Sequence, residues 1–130
     1  MRKKKTILVI DDDESLRKML QMRLSFCDYK VVTADCGEKA FEMINKNRPD
    51  LILLDIAMPD MDGFEVCKIL KDDQETRDIP IVFLTAIGGN IENKLQSLMV
   101  GGIDFIQKPF DGVDLIERVE KILFGGKDGG

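Results

Sequence analysis

The sequence predicts an α/β fold in which an open, doubly wound parallel sheet of five strands is covered by helices on both faces. Short apolar runs rich in β-branched residues alternate with segments whose apolar residues recur at helical spacing. Each apolar run can form one strand buried on both faces, which is typical of a parallel sheet. A length of 130 residues suits one such domain. It is too short for a closed α/β barrel.

Polar and turn-forming residues separate the predicted elements. The most apolar run, Leu51 to Leu54, lies between Asp50 and a turn rich in Pro, Asp and Gly, so it is predicted to be the central strand. The predicted strands are residues 6–10, 29–34, 51–54, 81–85 and 104–107, and the predicted helices are residues 14–26, 37–45, 64–71, 91–100 and 113–124. Helical spacing places Phe26, Ile69, Met99 and Val113 on the inward faces. We expect residues 1–124 to form the domain and residues 125–130 a flexible end or linker.

Right-handed crossovers between parallel strands place helices on both faces of the sheet and produce a three-layer sandwich. For five strands the doubly wound order is 2-1-3-4-5, the flavodoxin-like topology, with its switch point between the first and third strands. Ligands of such sheets bind at the carboxyl ends of the strands near this point. The residues that follow the strands are therefore the first candidates for a site.

Composition and charge exclude several functions. The net charge of −5 argues against direct binding to nucleic acid, so we expect a protein or a cation as partner. The chain has no histidine, which excludes Ser-His-Asp and Cys-His catalysis and histidine-ligated zinc. No membrane span or export signal is predicted. Cys27, Cys36 and Cys67 are odd in number and lack metal-type spacing, which favours buried, reduced thiols in the cytoplasm.

Polar side chains follow four of the predicted strands. Asp11 and Asp12 follow the first strand, Asp55 the third, Thr85 ends the fourth, and Lys108 follows the fifth. Crowded carboxylates repel one another unless a cation binds among them, and oxygen ligands suit Mg²⁺ or Mn²⁺. A divalent cation, a lysine and a hydroxyl together favour phosphoryl transfer, with Asp55 as the nucleophile that forms an aspartyl phosphate.

Each of these residues also has a simpler interpretation. Asp11 to Asp13 could cap the first helix, and Asp13 is predicted to do so. Asp55 could begin a turn, Thr85 could be an ordinary strand residue, and Lys108 could be solvated. Their meeting at one edge of the sheet favours the functional interpretation over separate coincidences.

The chain resembles the receiver domains of two-component response regulators. The matching segments are Ile7-Leu8-Val9-Ile10-Asp11-Asp12-Asp13, Asp55-Ile56-Ala57-Met58-Pro59 with Asp62-Gly63, Leu84-Thr85-Ala86, and Asp104-Phe105-Ile106-Gln107-Lys108-Pro109-Phe110. They occur in the order and spacing of that family, and the resemblance extends from about residue 5 to residue 124.

The resemblance implies roles for individual residues. Asp55 would be the phosphoacceptor, and Asp11, Asp12, Asp55 and the backbone carbonyl of Ala57 would hold Mg²⁺. Thr85 and Lys108 would sense the phosphoryl group, Phe105 would be the aromatic switch, and the Lys108–Pro109 bond would be cis. The phosphoryl donor would be a sensor histidine kinase or a phosphotransfer protein. The signal would pass to a protein target or effector domain through the surface formed by the fourth helix, fifth strand and fifth helix. The same surface could also form a phosphorylation-dependent dimer.

Three other functions can be distinguished from that of a receiver domain by the residues that each would need. A haloacid-dehalogenase-type phosphatase would need a second aspartate two residues after Asp55, where Ala57 stands. A flavin carrier would need a hydroxyl- and glycine-rich loop where the acidic run from Asp11 to Glu14 stands. An interaction scaffold would not need the complete set of site residues. The apolar Ala57 and Ile87 cannot orient a water for hydrolysis, so we expect slow loss of the phosphoryl group.

Overall fold

The computed structural model describes residues 3–85, 96 and 99–125 of the chain. The strands are β1 Thr6–Ile10, β2 Lys30–Ala34, β3 Leu51–Asp55, β4 Ile81–Thr85 and β5 Asp104–Gln107. The helices are α1 Glu14–Phe26, α2 Gly37–Lys46, α3 Gly63–Asp72 and α4 Gly112–Phe124. The label α4 therefore belongs to the helix predicted as the fifth. Most of the predicted fourth helix, residues 91–100, and residues 126–130 of the predicted linker lie outside the described residues.

All neighbouring strands pair in parallel in the order β2-β1-β3-β4-β5, so the predicted topology is confirmed. Ile10 pairs with Leu54, which leaves Asp11 and Asp55 as the next residues on adjacent strands. Thr85 pairs with Gln107, which leaves Lys108 as the next residue at the same edge. The register alone thus brings the predicted site residues to one edge of the sheet.

Two apolar cores lie on the two faces of the sheet. Alternate residues of β3 show the division, since Ile52 and Leu54 belong to one core and Leu51 and Leu53 to the other. Helices α2 and α3 cover the first face, while α1 and α4 cover the second. β3 is fully buried and is the middle strand of the five, so it is the central strand, as predicted. None of the helices in the described part of the chain could span a membrane.

Two strand boundaries differ from the prediction. β2 begins at Lys30 rather than Tyr29, because the Tyr29 amide donates to the Leu24 carbonyl and so belongs to the end of α1. β3 includes Asp55, because this residue pairs with Leu84 of β4. Asp55 is consequently part of the rigid sheet rather than of the turn that follows it. The predicted N-cap role of Asp13 is confirmed, since its side chain accepts from the amides of Ser15 and Leu16.

The inward placement of four apolar residues was wrong. Leu20 and Leu24 define the buried stripe of α1, and Phe26, two residues further on, points away from them and is 93% exposed. Ile69 is exposed because it lies at the edge of the buried stripe defined by Val66 and Leu70. Val113 is exposed because it precedes the part of α4 that packs on the sheet. Met99 is also exposed. Of the cysteines, only Cys67 is buried, while Cys27 and Cys36 are partly exposed and all three are free thiols.

Gly63, the first residue of α3, allows that helix to approach the end of β3 closely. A Cβ atom at this position would meet the backbone carbonyl of Asp55 and come within 2.9 Å of the Ile56 Cα atom. The Gly63 amide also donates to the Ile56 carbonyl at 2.9 Å. The absence of a side chain at Gly63 therefore helps to fix the backbone that follows Asp55.

We predict that Gly63→Ala will lower the free energy of unfolding by about 1–3 kcal/mol, because backbone atoms must move to admit the methyl group. Gly112→Ala is a matched control, since Gly112 also begins a helix but its Cβ would meet only the flexible guanidinium of Arg23. The control should be neutral or slightly stabilising, because alanine favours helix over glycine. Urea unfolding of both variants tests this, and equal effects would contradict the proposed contact.

Candidate functional site

Asp11, Asp12 and Asp55 come together at the carboxyl edge of the sheet. One carboxylate oxygen from each lies within 4.8 Å of the others. Asp11 is 0% and Asp55 is 4% exposed, whereas Asp12 is open to solvent. The cluster thus has a buried floor and an accessible side, so an ion or a phosphoryl group can approach it from the Asp12 side.

The backbone and side chain of Asp11 are held by surrounding groups. Its amide continues the ladder to β2 by donating to the Ala34 carbonyl at 3.1 Å. Its Oδ1 atom accepts from the Asp13 amide at 2.9 Å, and its Oδ2 atom accepts from the Lys108 ammonium at 2.9 Å. These bonds leave the Asp11 carboxylate little freedom, so it is preorganised within the site.

Lys108 joins the two buried carboxylates. Its Nζ atom lies 2.9 Å from Asp11 Oδ2 and 3.2 Å from Asp55 Oδ1, although the lysine itself belongs to the turn after β5. Burial lowers the pKa of Lys108, but the bonds and charges of Asp11 and Asp55 outweigh it, so the pKa of Lys108 is raised. The ammonium group therefore remains charged, and it neutralises one of the three carboxylates.

Asp55 has a strongly perturbed carboxyl group. Burial is the largest cause and raises its pKa from 3.8 to about 6, and the charge of Asp11 acts in the same direction. Lys108 lowers the pKa of Asp55 but does not cancel these effects. The metal-free site consequently disfavours an ionised Asp55, first because the group is buried and second because like charges lie close to it.

The donor set fits a hard divalent cation. Among the described residues one ammonium group, that of Lys108, bonds to this cluster of three carboxylates, which leaves excess negative charge. Oxygen donors with room for waters suit Mg²⁺ or Mn²⁺. Ala57, the fourth predicted ligand, lies exposed in the loop after β3. That loop is held by bonds from the Ile56 amide to the Leu84 carbonyl and from the Gly63 amide to the Ile56 carbonyl. The role of the Ala57 carbonyl as a ligand stays a prediction.

Thr85, Phe105 and Pro109 lie beside the cluster on β4, β5 and the following turn. Thr85 is buried, and its carbonyl accepts from the Lys108 amide at 2.7 Å. Phe105 is half-buried against the core shared with Phe83, and the two-residue period of the strands puts Thr85 on the same face. The Lys108–Pro109 bond is cis. Ile87 lies outside the described residues, so its predicted effect on hydrolysis stays a prediction.

Two arginines that contact predicted site residues were not identified from the sequence. Arg17 of α1 donates to the backbone carbonyl of Asp11 at 2.7 Å. Arg118 of α4 donates to Asp104 at 3.1 Å and to the Phe105 carbonyl at 3.2 Å. The sequence predicts only that these two arginines lie on helices. The atoms that a long side chain contacts do not follow from the spacing of residues along the chain.

Comparison with known proteins assigns the chain to a family. Residues 7–120 match the family described as "Response regulator receiver domain". The chain belongs to the response regulator receiver domains. This receiver domain is therefore a signalling domain of two-component systems, and the site described above lies within the matched residues.

Similar proteins support this assignment. The receiver domain is 46% identical over 116 residues to the response regulator PleD of Caulobacter vibrioides, covering 89% of this chain and 25% of that protein. It is 39% identical over 120 residues to the probable transcriptional regulator ycf27 of Guillardia theta, covering 92% of this chain and 46% of that protein. This chain thus spans a quarter to about half of these curated relatives.

The fold also matches solved structures. The chemotaxis protein CheY4 of Vibrio cholerae superimposes on this receiver domain with a TM-score of 0.88 at 30% sequence identity, covering 93% of this chain and 100% of that chain. The agreement extends over nearly the whole chain, so the fold is that of a receiver domain.

Mg²⁺ should stabilise this receiver domain, because a cation that binds only the folded protein raises its stability, by about 2.7 kcal/mol at a hundredfold excess over Kd. Asp12→Ala should remove most of this effect while leaving the metal-free protein stable, since the exposed Asp12 adds mainly repulsion there. Thermal unfolding with MgCl₂ or EDTA measures both quantities.

Asp13→Ala provides the matched control for Asp12→Ala. It removes the N-cap of α1 and should cost about 1 kcal/mol of stability without changing the response to Mg²⁺. If Asp12→Ala instead behaved like the loss of a cap, Asp12 would be a structural residue rather than a ligand.

The raised pKa of Asp55 predicts how stability depends on pH. Between pH 3.8 and about 6 the unfolded chain ionises Asp55 before the folded protein does, so this group lowers stability as pH rises. In EDTA at pH 7.5, Asp55→Asn should therefore be more stable than the parent by about 1–3 kcal/mol, and the difference should shrink toward pH 4. Urea unfolding tests this, with the exposed Asp60→Asn as control. A pH-independent difference would contradict the assigned cause.

Proposed function

We propose that Asp55 of this receiver domain accepts a phosphoryl group from a phosphohistidine of a sensor histidine kinase or a phosphotransfer protein, with Mg²⁺ bound. The observation that carries this proposal is the position of Asp55: its carboxylate is buried, bonded to Lys108, and close to the carboxylates of Asp11 and Asp12. A buried nucleophile at the end of a rigid strand has its direction of attack set by the sheet.

The carboxylates of Asp11, Asp12 and Asp55, with the Ala57 carbonyl, would hold Mg²⁺, which neutralises charge on the carboxylates and on the phosphoryl oxygens. A carboxylate oxygen of Asp55 attacks the phosphorus as the bond from phosphorus to the histidine nitrogen breaks, and the imidazole leaves with the bonding electrons. The two products are an aspartyl phosphate on this chain and a histidine on the donor.

Lys108 and Thr85 would stabilise the phosphoryl group. In the aspartyl phosphate the negative charge lies on the phosphoryl oxygens rather than on the Asp55 carboxylate, so the Lys108 ammonium can pair with a phosphoryl oxygen while keeping its bond to Asp11. The Thr85 hydroxyl would donate to another oxygen. Because the Thr85 carbonyl accepts from the Lys108 amide, movement of one of these residues is transmitted to the other.

Phosphorylation would change an output face, defined here as the predicted fourth helix, β5 and α4. Inward movement of Thr85 would open space for the ring of Phe105 on the same face of the sheet. Arg118 bonds to both Asp104 and the Phe105 carbonyl, so a shift of β5 would also move α4. This face would bind a protein target or an effector domain, or a second copy of the chain.

The proposed activity is signalling in the cytoplasm rather than turnover of a substrate. The domain would catalyse only its own phosphorylation and dephosphorylation, because the phosphoryl group remains attached to Asp55. The charge of −5 agrees with a protein target rather than direct contact with nucleic acid or an anionic membrane.

We predict that acetyl phosphate with Mg²⁺ will add one phosphoryl group to the wild-type protein, whereas Asp55→Asn or the addition of EDTA will prevent it, because the nucleophile or the cation is then missing. Intact-mass spectrometry measures the addition. Asp60→Asn, which changes an exposed aspartate outside the cluster, should be modified normally. Equal modification of Asp55→Asn would exclude Asp55 as the acceptor, and Mg²⁺ binding without modification would favour an interaction scaffold.

A further inference from the structure

Arg17 lies at the start of the second turn of α1, behind the carboxylate cluster. Its Nη1 atom donates to the backbone carbonyl of Asp11 at 2.7 Å, and its side chain is half-buried. No step of the proposed phosphoryl transfer uses this residue. Because Arg17 contacts the backbone of a predicted metal ligand, it can nevertheless affect the geometry of the site.

The Asp11 carbonyl needs a partner from outside the sheet. Asp11 is fully buried, and its amide still pairs with Ala34 of β2. After Asp11 the chain leaves β1 and turns toward α1, so its carbonyl is at the end of the ladder. A buried carbonyl without a donor is costly, and Arg17 supplies the donor.

This carbonyl belongs to the peptide group that joins Asp11 to Asp12. Because a peptide group is planar, holding its oxygen also fixes the direction in which the chain enters Asp12. The Asp12 side chain is exposed, so little packing restrains it. Mg²⁺ requires nearly ideal octahedral geometry, which makes its affinity sensitive to the placement of each carboxylate.

We propose that Arg17 is a positioning residue for the divalent cation: by holding the Asp11 carbonyl, it orients Asp12 and increases the affinity of the site for Mg²⁺. This inference rests on the proposed function of the cluster. The charge of Arg17 acts in the opposite sense, because a guanidinium near the site repels a second cation. Loss of charge alone would tighten Mg²⁺ binding, whereas loss of positioning would weaken it.

The test is calorimetric titration of metal-free protein with MgCl₂. Arg17→Gln should bind Mg²⁺ about tenfold more weakly than the parent, the lower end of the effect typical for groups that orient metal ligands. Glutamine has nearly the helix propensity of arginine, so α1 is retained. Arg17→Lys keeps the charge and one donor and should restore part of the affinity.

Two control variants separate positioning from charge and from stability. Lys18→Gln removes the same charge from the next residue of α1, where Lys18 is exposed and pairs with Glu14 at 3.5 Å. Thr76→Val removes a hydroxyl that donates to the Leu70 carbonyl at 2.6 Å, in the connection between α3 and β4 at the opposite edge of the sheet. Neither control should weaken Mg²⁺ binding, although Thr76→Val should lower stability.

Phosphorylation kinetics provide a second readout. With acetyl phosphate, Arg17→Gln should need more Mg²⁺ for half-maximal rate and should reach the parental rate at saturating Mg²⁺, because the nucleophile and Lys108 are unchanged. Mg²⁺ affinity in Arg17→Gln equal to or tighter than that of the parent would overturn the inference, as would an equal loss in Thr76→Val. If the parent protein bound no Mg²⁺ and took no phosphoryl group, the proposed function itself would fail.

Discussion

The repulsion among three carboxylates at one edge of the sheet governs this site. Two of them are buried, and the ammonium of Lys108 compensates only one charge. The pKa of Asp55 is raised to about 6, mainly by burial and in addition by the charges of Asp11 and Asp12. Because the site carries excess negative charge, it gains more from a bound cation than a neutral site would. The charge that destabilises the metal-free domain therefore also favours the binding of a cation.

Packing and capping elsewhere in the domain stabilise the fold enough to hold these carboxylates together. β3 is buried on both faces, so Asp55 is held by a fully buried strand. Gly63 lets α3 approach the backbone after Asp55, and Asp13 caps α1 immediately after Asp11 and Asp12. Fixed backbone positions keep the carboxylates together despite their repulsion, which is the kind of preorganisation that phosphoryl transfer requires.

The same arrangement connects the site to the surface. Lys108 pairs with Asp55 through its side chain and with Thr85 through its amide. Phe105 lies on β5, three residues before Lys108, and its carbonyl is bonded to Arg118 of α4. One short strand and a few direct bonds therefore connect Asp55 to α4.

The sequence by itself determined the parallel sheet, its strand order and the set of residues at its carboxyl edge, because apolar periodicity and the rules for crossovers are local or topological. Only the tertiary structure decided which apolar residues are exposed, as at Phe26, and that Tyr29 belongs to the end of α1. It also decided that Lys108 contacts two carboxylates and that Arg17 holds the Asp11 carbonyl. Spacing along the chain places a Cα atom on an element, but the atoms that a long side chain contacts, and the burial that shifts a pKa, depend on how separate elements pack.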